Sequence, residues 1–200
     1  MNDKLSTKEK IEITIQSGLQ MVPYVGGPLA TAYFGTKQEK RFKRLESFYQ
    51  ELSELISKLQ PQILPVTEHD EKCLIALIER LNDAIEKEHS DTKRSMFKRF
   101  FINSLSTATI EANYDERQIF LDALAEITVT EVKVLLEYYN DKPTNLDLSN
   151  PVILGAKARL EMRGFLVSKQ HAITTTGISP INTVTRISSF GKSFVEFCTQ

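Results

Sequence analysis

Residues 13–36, ITIQSGLQMVPYVGGPLATAYFGT, contain no Asp, Glu, Lys or Arg. Charged residues make up 26% of the chain, so an uncharged run of 24 constrains the fold more than any other feature. Glu12 closes it on one side and Lys37 on the other. Burial of such a run is favoured over hydration, so the protein core, a partner or a lipid surface must cover it. A spanning helix needs ~20 apolar residues. Gln16, Ser17 and Gln20 make the run too polar for that, and Pro23 and Pro28 break it in mid-span. Lys4, Lys8, Glu9, Lys10 and Glu12 argue against a secretory signal. The reading is a buried helical hairpin. Ser6 and Glu9 form a capping box, Ile11, Ile15, Gly18, Leu19 and Val22 give one helical stripe, and Pro23 ends the first helix. Pro28 opens the second, which carries Leu29, Ala30, Tyr33 and Phe34. Gly18, Pro23, Val25, Gly26, Gly27, Pro28 and Phe34 are its candidate contacts to a membrane or a partner.

The following segment has the cleanest helical period in the chain. Phe42, Leu45, Tyr49, Leu52, Ile56 and Leu59 recur in steps of three and four, with Phe48 and Leu55 widening the stripe. Lys37, Lys40, Arg41, Lys43 and Arg44 form a basic collar next to the uncharged run, read as a solvated face or as a contact to anionic lipid. Pro61 and Pro65 bracket a linker. Thr67 is expected to cap a helix to His89, with Leu74, Leu77, Ile78, Leu81 and Ile85 inward. A helix over 92–107 carries Met96, Phe97, Phe100, Phe101 and Leu105, with Lys93, Arg94, Lys98 and Arg99 as a wet flank. Asn113 or Asp115 is expected to open the next helix, with Ile119, Phe120, Leu124 and Ile127 facing in.

Thr128 and Glu131 are a second capping-box pair. Asn150-Pro151 reads as N-cap and first turn, and Gly164 as the C′ residue of a helix over 151–163. In that helix Val152, Ile153, Ala156, Leu160 and Met162 are expected inward, with Lys157, Arg159 and Arg163 wet. Residues 165–168 and 183–187 have strand chemistry, and a last helix starts at Ser188 or Ser189 with Phe190, Phe194, Val195 and Cys198 inward. Helices followed by a two-stranded hairpin describe a winged-helix-like domain. The expected fold is therefore mainly α: a helical bundle over 1–110, then a winged-helix-like domain over 111–200 with a small β-hairpin. Lys157, Arg159, Arg163 and Arg186 are the candidate nucleic-acid contacts. Residues 128–200 hold eight Lys or Arg against six Asp or Glu, a net of +2, so phosphate attraction is weak. The 141–149 loop is also longer than a helix-turn-helix turn.

No catalytic constellation emerges. His69 and Cys73 lie four apart, but no second pair completes a metal site. Gly26-Gly27 follows a helix and lacks a Lys-Ser/Thr sequel, so it is no phosphate loop. Cys73 and Cys198 have no neighbouring Cys, which fits a reducing cytoplasm. The expectation is a protein without enzymatic activity, metal or cofactor.

From Arg94 onward the chain resembles the bacterial abortive-infection alpha family. The segments that carry the likeness are RSMFKRFFINSL, the junction Leu124-Ala-Glu-Ile127-Thr128-Val-Thr-Glu131, the turn LEMRGFL over 160–166, and Ser188-Ser189-Phe190-Gly191-Lys192-Ser193-Phe194. Phe165 and the long 169–182 segment depart from that pattern. The resemblance implies a bacterial phage-resistance protein and no known catalytic residue. The expected function is non-enzymatic phage defence through protein contacts, with membrane engagement by 13–36. A protein partner or a second copy is expected, in a cytoplasmic protein peripheral to the inner membrane when 13–36 engages. The alternatives are a winged-helix DNA-binding regulator and a scaffold subunit with an oligomer interface.

Overall fold

The computed structural model describes residues 44–45, 47–59, 63–64, 66–171 and 182–200. The hairpin over 13–36, with Gly18, Pro23, Val25, Gly26, Gly27, Pro28 and Phe34, lies outside the described residues, as does the collar up to Lys43. Among the described residues the protein is mainly helical with one antiparallel two-stranded hairpin. It divides into two compact units, Met1–Ala125 and Glu126–Gln200.

In the first unit, helix α1 runs through 47–59. A 3-10 turn, Val66–Glu68, precedes α2 (Glu71–Lys87), α3 (Asp91–Ser106) and α4 (Glu111–Glu126). The stripes expected on α2 and α3 form the core, while that of α1 does so only in part, with Leu45, Leu55 and Ile56 half-buried and Leu59 43% exposed. Phe48, Tyr49 and Leu52 of α1 are buried, as are Leu74, Leu77, Ile78, Leu81 and Ile85 of α2 and Met96, Phe97, Phe100, Phe101 and Leu105 of α3. Tyr49 stacks edge-on to Phe101 at 6.2 Å between ring centres, and its hydroxyl donates to Asn82 Oδ1 at 2.6 Å, so the buried phenol is satisfied. Arg44 donates to the Glu86 carbonyl at 2.8 and 2.5 Å, a cation on the last turn of α2.

Four details differ from the sequence reading, the first being that α4 begins at Glu111, so Asn113 and Asp115 lie inside it instead of opening it. Asp70, not Thr67, caps α2: its side chain accepts from Cys73 N at 2.9 Å, and Thr67 sits in the 3-10 turn. The basic residues of α3 are not a wet flank. Lys93 is buried and Arg94 and Lys98 are half-buried, each paired with a carboxylate. On α4, Ile119 is 53% exposed and Arg117 is buried in its place. Arg117 reaches the Ser104 and Thr107 carbonyls and the Thr107 and Thr109 hydroxyls, which fixes the rotation of the helix against the preceding loop. These bonds, with Arg80–Asp122 at 2.8 Å and Lys93 Nζ on the Ala125 carbonyl, tie α4 into the first unit. The division between units accordingly falls one helix later than the expected 110/111.

The second unit runs α5 (Val129–Tyr139), a 3-10 turn (Pro143–Asn145), α6 (Pro151–Met162), β1 (Leu166–His171), β2 (Asn182–Ile187) and α7 (Ser189–Thr199). The strands pair with Leu166 opposite Ile187 and His171 opposite Asn182. The Thr128–Glu131 capping box forms in full. Asn150 caps α6 with Pro151 in its first turn. Gly164, at φ +78°, ends α6. Phe165 N donates to the Leu160 carbonyl at 2.9 Å and Gly164 N to Glu161 at 3.0 Å, the two bonds of a Schellman motif. Phe165 then packs its ring on Phe194 and Phe190, 4.9 and 5.0 Å between centres. Gly191 of α7 lets this happen: a Cβ there would stand 2.4 Å from the Phe165 carbonyl oxygen.

Candidate functional site: the outward face of α6

Helix α6 and its C-cap carry three of the four candidate nucleic-acid contacts, Lys157, Arg159 and Arg163, and its burial departs in part from the one expected. Ala156 and Leu160 are buried and Ile153 is half-buried, but Val152 and Met162 are exposed, at 62% and 81%. Leu154 is 52% exposed and Leu148, just before the helix, 44%. Apolar residues occupy nearly every direction around α6, so periodicity alone could not fix which side faces in. Burial of Leu160 under the Schellman turn and the tie from Arg159 to α5 set the rotation instead.

That tie is the electrostatic centre of the unit. Glu131 is buried, with one carboxylate oxygen accepting from Thr128 N at 2.7 Å and the other from Arg159 Nε at 2.7 Å. Burial pushes its pKa up, but the hydrogen bonds from Arg159 and from the Thr128 backbone and hydroxyl outweigh burial, so the carboxyl lies below its ordinary range. Lys157 pairs with Glu161 at 2.5 Å. The same carboxylate accepts from Ser168 Oγ at 2.5 Å, and Ser168 meets Thr185 across the hairpin at 2.7 Å. Arg163 lies 3.3 Å from Glu126. All three cations proposed for DNA on α6 thus already face carboxylates of the same unit. Arg186, the fourth, is exposed opposite Val167 on the hairpin.

On a helical projection of 3.6 residues per turn, Leu154, Ala158, Pro151, Met162, Gly155 and Val152 span an arc of roughly 160°. Of these, all but the half-buried Gly155 are exposed. Arg159 is the one charged residue in that arc. A Cβ added to Gly155 would meet no atom within 4 Å.

Comparison of the chain with family models, with curated proteins and with solved structures finds no match. The chemistry of the site therefore has to come from its own residues.

Two further clusters lie in the first unit. Glu51 accepts from Ser47 and Arg94 on one oxygen and from Lys98 on the other, at 2.7–2.9 Å, beside a groove of about 350 Å³ between α1 and α3. Lys58 and Arg99 also line this groove. The second cluster surrounds His69, which is 8% exposed and accepts from Thr109 N through Nδ1 at 3.0 Å. Burial, then the Arg117 guanidinium, hold its pKa below the ordinary histidine value. The Leu64 backbone and Glu68 pull the other way. Neither arrangement presents a nucleophile with a base in reach. Among the described residues no three His, Cys, Asp or Glu side chains gather as a metal site. Also among the described residues, no helix is long and apolar enough to cross a membrane. The sequence reading missed the buried Arg117 and the buried Glu88–Lys93 pair, at 2.7 Å, because a charged residue carries no sign of burial until its partner is known.

Proposed function

We propose that the protein is a non-enzymatic phage-defence protein of the abortive-infection type that works by protein contact, with the outward face of α6 as its docking surface. One observation carries the reading: the cations of α6 are paired inside the unit, while its exposed arc is apolar except for the paired Arg159. A helix built to read DNA presents the opposite surface, with polar side chains outward and cations free for phosphate. The order helix, helix, hairpin, helix in the second unit fits a winged-helix-like domain adapted to a protein partner.

The residues that carry the family likeness fall at structural positions. Leu124 and Ile127 are core, Thr128 and Glu131 cap α5, Gly164 turns the chain, and Gly191 admits Phe165. They support a shared fold more than a shared chemistry. In this reading the 13–36 run is the segment that meets a membrane when the response is triggered. DNA contact is disfavoured: Arg186 and Lys169 remain exposed on the hairpin, and two phosphate contacts give a salt slope of only about −2.

Cells expressing the intact chain should resist phage, and Leu154→Glu/Met162→Glu should lose that resistance while Arg186→Ala keeps it. Resistance that survives the α6 substitutions, or none from the intact chain, would overturn the reading. Flotation with anionic liposomes, lost in Val25→Glu, tests the membrane step.

A further inference from the structure

We infer that the outward arc of α6 is a two-fold contact between two copies of this chain, with α6 packed antiparallel on α6. The inference rests on the reading above that this arc docks a protein, and it names the partner.

Gly155 supplies the first argument. Glycine inside a helix costs about 1 kcal/mol relative to alanine. The fold gives no return for it here: φ is not left-handed, and a side chain would enter open space. Gly191, by contrast, is required by the Phe165 carbonyl. A glycine with no internal reason, in the middle of an exposed apolar arc, suits the close approach of another backbone.

The second argument is self-complementarity. A two-fold axis midway between Gly155 and Ala158 sets Gly155 of one copy against Ala158 of the other. The same axis sets Met162, the most exposed side chain of the arc, over Pro151 and beside the Gly155 hollow. The largest side chain of each copy thus meets the smallest surface of the other, twice, as an isologous contact requires. Small residues at the crossing allow an axis separation at the short end of the usual 8–10 Å. Antiparallel packing also opposes the two helix dipoles favourably.

Area sets the strength. Val152, Leu154 and Met162 with their small neighbours expose roughly 500 Å² per copy, so complete coverage in both copies would bury at most roughly 1,000 Å², the lower bound for a specific interface. The dimer is therefore weak and populated only at high protein concentration.

Sedimentation equilibrium of the full chain from 1 to 500 μM tests this. The wild type should pass from monomer to dimer across that range. Met162→Glu and Leu154→Glu should remain monomeric throughout. Gly155→Gln should raise the melting temperature yet weaken dimerisation at least tenfold, so its effect cannot come from unfolding. A wild type that stays monomeric at 500 μM overturns the inference. So does a dimer that persists in all three variants, or one abolished only by Val25→Glu. Phage challenge of the same variants separates the two claims. Resistance lost in the α6 variants of a chain that never dimerises leaves the docking reading standing and removes the second copy. Dimerisation lost with resistance intact does the reverse.

Discussion

Glu131 and His69 are single residues whose ionisation the fold depends on, and they act in different pH windows. Glu131 has its folded pKa lowered, so its contribution is present above its ordinary value near 4.5 and is lost as pH falls through the lower folded value. His69 is held neutral, with its folded pKa below the ordinary 6.5. The unfolded chain therefore binds more protons, and stability falls as pH drops from about 6.5 through the folded value. Urea midpoints measured from pH 8 to 3 should thus decline in two stages, with His69→Gln flattening the first and Glu131→Ala the second. At neutral pH, Glu131→Ala should cost about 1–2 kcal/mol, since it removes half of the capping box while the released Arg159 is already half in water. Arg159→Ala should cost about 1–2 kcal/mol because its side chain is half in water, and the double variant less than the sum. The sequence showed Glu131 as a capping-box residue through its spacing from Thr128. It did not show Arg159 as the partner, which lies on another helix and depends on how α6 is turned.

Elements were legible where polar and apolar residues separate cleanly. The stripes of α2 and α3 read correctly because their apolar residues recur at helical spacing, although the charged neighbours Lys93, Arg94 and Lys98 on α3 are themselves buried or half-buried. Helix α6 read only in part: Ala156 and Leu160 face in, but Val152 and Met162 lie out beside Arg159, so its charged residues do not mark a single side. Its ends were nonetheless clear, because Asn150-Pro151 and Gly164 act through local backbone geometry. Three glycine-to-alanine substitutions should therefore differ in sign. Gly164→Ala should lose about 1–2 kcal/mol to the left-handed backbone. Gly191→Ala should lose about 1–3 kcal/mol, because the clashing atom is backbone and cannot move aside. Gly155→Ala should gain about 1 kcal/mol. Thermal unfolding of the three, at a concentration where the chain is monomeric, checks the order.

At the scale of the whole molecule, charge and greasy surface point the same way. A net charge of −1, with the α6 cations internally paired, leaves little field to gather nucleic acid. Five exposed apolar or small positions on one helix, with the half-buried Gly155 among them, form a patch of the size that soluble proteins keep for contacts. The central claim is that this patch faces water in the free chain and is covered when chains meet. The rate of Met162 oxidation by dilute peroxide, followed by mass spectrometry across protein concentration, measures that directly. Met162 should oxidise fast at 1 μM and be protected progressively toward 500 μM, while the buried Met96 stays slow throughout. Slow oxidation of Met162 at the lowest concentration, or a rate indifferent to concentration, would contradict the account.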